Sequence, residues 1–71
     1  MKHTKAGNPC IEKAREDEPI FVLRGQDNLA PALVRLWASR ARALGCSSEK
    51  VQDAIECADA MEAYPTRKDP D

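Results

Sequence analysis

The stretch EPIFVLRGQDNLAP, residues 18–31, decides the fold. After Pro19 come Ile20-Phe21-Val22-Leu23, four β-branched, aromatic or aliphatic residues with no polar alternation. A run of this kind predicts a short strand buried on both faces. Arg24-Gly25-Gln26-Asp27 interrupts it. Gly25 supplies an unusual backbone angle for a turn. Asp27 or Asn28 is then a good helix N-cap, with Pro31 tolerated inside the first turn.

Downstream, Leu29, Leu33, Leu36, Trp37, Ala41 and Leu44 recur by threes and fours, which predicts an amphipathic helix with these residues as its apolar face. Gly45 closes it as a C-terminal cap. Ser47 or Ser48 caps a second helix whose apolar face is Val51, Ile55, Ala58, Met61 and Tyr64, and Pro65 stops it. The connection is short, so the helices pack antiparallel as a hairpin.

No other segment reads as a strand, yet the backbone groups of Ile20–Leu23 need partners. The segment either lies extended over the hairpin or pairs antiparallel with its own copy across a twofold axis. The second arrangement gives the expected fold class: α+β, mostly α, with one short N-terminal strand, an antiparallel two-helix hairpin, and the strand paired between subunits. The partner is then the chain itself, as a homodimer or dimer of dimers. Size points the same way, since 71 residues is where a single core is marginal. Residues 1–17 are polar and read as a flexible arm, residues 18–65 as the domain, and residues 66–71 as a disordered tail.

The net charge of −1 argues against general nucleic-acid binding. The acidic second helix would repel phosphate in a DNA groove, so no DNA partner is expected. No apolar run approaches the ~20 residues of a membrane span, and the N-terminus lacks the apolar core of a signal peptide. Three cysteines, Cys10, Cys46 and Cys57, fit free thiols in a reducing cytoplasm. The expected location is cytoplasmic.

Charge is sorted by helix. The first carries Arg35, Arg40 and Arg42 and no acid; the second carries Glu49, Asp53, Glu56, Asp59 and Glu62 against Lys50. Asn28, Arg35, Ser39 and Arg42 form one polar stripe, and Arg24 and Gln26 stand beside the N-terminal end of the first helix. Free N–H groups there, with arginines, suit a phosphate or carboxylate. Phe21, Trp37 or Tyr64 would stack on a base, most favourably where two subunits meet. Against this, the arginines pair with the acidic helix or lie in water, Trp37 belongs to the apolar core, and Asp27 holds Arg24 in a local turn. Arg-Gly-Gln-Asp lacks the glycines and lysine of a Walker loop. The acidic residues lack a nearby histidine, and His3 with Cys10 is a weak metal pattern, so no metal or cofactor is expected. No Cys–His or Ser–His pairing is suggested, so the chain is not expected to be an enzyme.

The block DEPIFVLRGQDNLAPALVRLWA followed by EKVQDAIECADAMEAYP resembles a family of short proteins of bacteriophages and bacterial mobile elements, over residues 18–65. The resemblance assigns no binding residue. Phage proteins of this size commonly act by binding, and one class sequesters the nucleotide second messengers of immune systems. The expectation is a non-enzymatic oligomer that sequesters an anionic nucleotide, with Phe21, Arg24, Gln26, Asn28, Arg35, Trp37, Ser39 and Arg42 as its site. The alternative is a protein-binding regulator or inhibitor, acting through the acidic helix or the strand edge.

Overall fold

The computed structural model describes residues 9–69. Three helices follow in order: α1 (Pro9–Lys13), α2 (Ala30–Ala43) and α3 (Ser48–Ala63). The fold is small and mostly helical, and among the described residues its only β pairing is a single parallel bridge between Asp27 and Lys68. No helix there is long and apolar enough to cross a membrane.

The ends of the hairpin form where the local chemistry expects them. Gly45 has a φ of +85° and donates its N–H to Arg42 O (3.0 Å), while the Cys46 N–H reaches Ala41 O (3.0 Å). Those two bonds are the Schellman closure, which needs a residue without Cβ strain at Gly45. Ser47 caps α3, its Oγ accepting the Lys50 N–H at 3.2 Å. At the other end Tyr64 leaves the helix with extended backbone ahead of Pro65.

α2 and α3 run antiparallel, with Ala41 against Val51 near the turn and Arg35 against Glu62 at the far end. Their shared seam is narrow. Ala30, Pro31, Ala38 and Ala41 are buried from α2, and Val51 and Ala58 from α3, with Val51 the largest fully buried side chain.

Here the expected α2 face needs correction. Leu29, Leu33, Leu36, Trp37 and Leu44 are about half exposed or more, and only Ala41 of that stripe is buried. The buried line is Ala30, half-buried Val34, Ala38 and Ala41. Small side chains let the two backbones approach closely, so the helix turns its alanines inward and carries the leucines outward. On α3 the expected face is closer to the outcome: Ile55 and Met61 are half-buried and Tyr64 is exposed.

Ile20–Leu23 also departs from expectation. Within the chain it forms no strand and makes no backbone hydrogen bond to a described residue. Ile20, Phe21 and Val22 are 57%, 85% and 63% exposed, so this run is not buried on both faces in the single chain. The long-range backbone pairing of the single chain goes to the next segment: Lys68 donates its N–H to Gln26 O (2.7 Å), and Asn28 donates to Lys68 O (2.9 Å).

Residues 66–69, whose composition predicts a frayed tail, carry Arg67. Its guanidinium donates to Gly25 O (3.0 Å), Asp27 O (3.1 Å) and Met61 O, and its Nε to Asn28 Oδ1 (3.1 Å). One side chain thus ties the loop before α2 to the last turn of α3. Gly25 has no positive φ; it lies against Met61 and Tyr64, at distances where a Cβ would make ordinary contact. Arg67→Ala should therefore lower stability in urea unfolding by about 2 kcal/mol, the scale for several charge-assisted bonds and their orphaned carbonyls, and Arg67→Lys should restore only part of it.

Candidate functional site

At the N-terminus of α2, the anion position is occupied from within. Asp27 Oδ1 accepts the Leu29 N–H (2.8 Å), and Asp27 O accepts the Ala30 N–H (3.1 Å). Pro31 has no N–H to offer. The helix cap itself is Leu29, which makes no side-chain capping bond. Asp27 therefore acts two residues before the cap, as an Asx turn, and its carboxylate already answers the positive end of the helix.

The polar stripe of α2 is divided among three environments. Asn28 is engaged by the tail, donating from Nδ2 to Asp69 Oδ1 (2.8 Å) while its Oδ1 accepts from Arg67. Arg35 reaches across to α3, with Nη1 on Glu62 Oε2 (2.5 Å) and Nη2 on Asp59 Oδ1 (2.9 Å). Those bonds, Glu62 first and Asp59 second, hold its proton more firmly than an isolated guanidinium would. Ser39 and Arg42 stay exposed on α2. Gln26 contributes its backbone to the bridge with Lys68. Arg24, Gln26, Asn28, Arg35, Ser39 and Arg42 are thus not drawn into one cationic pocket within the chain. Arg24, Arg40 and Arg42 make no ion pair with any described residue.

The aromatic residues lie elsewhere. Phe21 and half-exposed Trp37 line one open groove of about 670 Å³, together with Ile11, Ile20 and Leu23. Trp37 also borders a second, more apolar groove of about 620 Å³ with Leu33, Leu36, Arg40 and Leu44. Position by position, the sequence named Phe21 and Trp37; it missed Arg40 as a groove residue and Arg67 as the clasp. The spacing of Arg40 after Leu33, Leu36 and Trp37 was the available signal for the first. For Arg67 the only signal was a cation just past a helix C-terminus.

Among the described residues no three His, Cys, Asp or Glu side chains converge as metal ligands, and His3 lies outside those residues. None of the three cysteines is in a disulfide: Cys10 and Cys46 are exposed, and Cys57 is partly buried. Burial pushes the Cys57 thiol up from its ordinary value by disfavouring the thiolate. Mapping of thiol alkylation in the native protein at mildly alkaline pH should find Cys57 slower than Cys46 by about tenfold or more, and urea should erase the difference. No family model, curated protein or solved structure matches the chain.

Proposed function

We propose that the chain is a non-enzymatic binding protein that works as a small homo-oligomer and sequesters an anionic ligand of the nucleotide class. The observation that carries this reading is the groove shared by Phe21 and Trp37, two exposed rings on separate segments. A base stacked on such rings gains about 1–3 kcal/mol. Arg24 follows Leu23, which lines the same groove, and its guanidinium has no carboxylate partner among the described residues. Arginine suits a phosphate through planar, bidentate hydrogen bonding. The site moves accordingly from the α2 N-terminus, where Asp27 sits, to the aromatic groove.

The oligomer reading is supported by Ile20–Leu23, whose backbone groups find no partner among the described residues and whose side chains are largely exposed. Antiparallel pairing with the same segment of a second copy satisfies both. The resemblance to phage proteins adds a setting: capture of immune second messengers in the host cytoplasm. A protein-binding regulator is the rival, and the exposed Glu49 and Glu56 on α3 favour it.

Trp37 is the only tryptophan and reports directly on the groove. Titration with cyclic dinucleotides and cyclic ADP-ribose isomers should quench its emission, and heating should release the ligand unaltered. Arg24→Ala should weaken binding by about tenfold or more, a loss on the scale of one charge-assisted contact. Arg35→Ala should leave affinity unchanged, because that guanidinium is held by α3. If no nucleotide of these classes shifts either the emission or the melting temperature, the ligand assignment is wrong. A Glu56→Lys variant that loses a defined protein partner would then favour the rival.

A further inference from the structure

The large side chains of α2 point away from α3, and the groove they form has an internal symmetry. Leu33, Leu36, Trp37 and Leu44 are 45%, 51%, 53% and 84% exposed in the single chain. Positions 33 and 44, like positions 37 and 40, are equidistant from the midpoint between Ala38 and Ser39. An antiparallel copy of α2 crossing at that midpoint sets Leu33 opposite Leu44 and Trp37 opposite Arg40, twice over. We propose that this face is a self-interface, in which two copies pack α2 against α2 about a twofold axis and Arg40 of each lies on the Trp37 ring of the other.

Three observations select a second copy as the occupant. The pattern is self-complementary, which a twofold contact requires. Among the described residues Arg40 is the one charged side chain lining the groove, and it makes no ion pair with another of them. A purely apolar partner would bury that charge without compensation, whereas a second copy presents an indole face, the best aromatic acceptor for a guanidinium. The exposed parts of Leu33, Leu36, Trp37 and Leu44 amount to roughly 450–500 Å² per chain. A twofold contact that covers them fully then removes about 1,000 Å², the size of a small, reversible interface.

This inference rests on the oligomeric part of the proposed function and not on the ligand, whose groove shares only Trp37 with this one. It is also separate from pairing through Ile20–Leu23, which would use a different surface. If both contacts form, they generate a dimer of dimers.

Sedimentation of the unmodified full chain at micromolar concentration should give a mass of at least two subunits. Leu44→Glu and Arg40→Glu should each halve that mass while circular dichroism keeps the helical signal, since both side chains are exposed in the single chain. Val22→Pro, which blocks strand pairing, should leave the α2 contact in place. In the unmodified chain, dilution through dissociation should shift Trp37 emission to the red. A monomeric unmodified chain, an unchanged mass for Leu44→Glu, or Trp37 emission that stays fixed while the chain dissociates would each overturn the proposal. A chain that Val22→Pro alone reduces to monomer would do the same, by giving the whole assembly to the strand. These measurements are made without nucleotide, so a failure of nucleotide binding leaves their outcomes untouched.

Discussion

The close approach of α2 and α3 over small residues governs the rest of the molecule. With Ala30, Ala38 and Ala41 on one side and Val51 and Ala58 on the other, the two backbones come together tightly. Tight packing gains dispersion contacts along the seam but buries little apolar area. The cost is visible on the outside. Leu33, Leu36, Trp37 and Leu44, together with Ile20, Phe21 and Val22, remain in contact with solvent in the single chain. Exposed apolar surface of that extent on a small protein marks an interaction site.

The N-terminal end of α2 and the C-terminal end of α3 are neutralised from within the chain. Asp27 supplies a carboxylate at the positive end of α2, and Arg67 supplies a guanidinium at the negative end of α3. The opposed charges of the two helices meet in the fork of Arg35 with Asp59 and Glu62. What remains for outside partners is a set of cations without carboxylates and a face of large apolar rings and chains. In the proposed function, aromatic and apolar contacts therefore come first and arginine adds selectivity.

Element boundaries were legible because they depend on neighbours in the chain. Gly45 ends α2, Ser47 begins α3 and Pro65 stops it, each through bonds reaching no more than five residues. The direction of the helix faces was less legible. Hydrophobic periodicity marks where large apolar side chains lie on a helix, and it usually marks the core. On α2 it marks the outer surface, because an alanine line a fraction of a turn away makes the closer contact with α3. Ile20–Leu23 forms no strand within the single chain for a related reason: β propensity describes how a segment would pair and cannot supply the partner.

Residue order alone established two helices, the C-terminal cap of α2, the N-terminal cap of α3, their antiparallel hairpin and the segregation of acidic from basic charge, all consequences of short-range hydrogen bonding and spacing. Tertiary contact decided which side of α2 is inside, that Arg35 serves α3, and that Arg67 closes the loop before α2 from some forty residues away. The reason is one of range. A cap is selected by the few groups beside it, whereas a buried face or a distant guanidinium is selected by competition among every surface the folded chain can bring together.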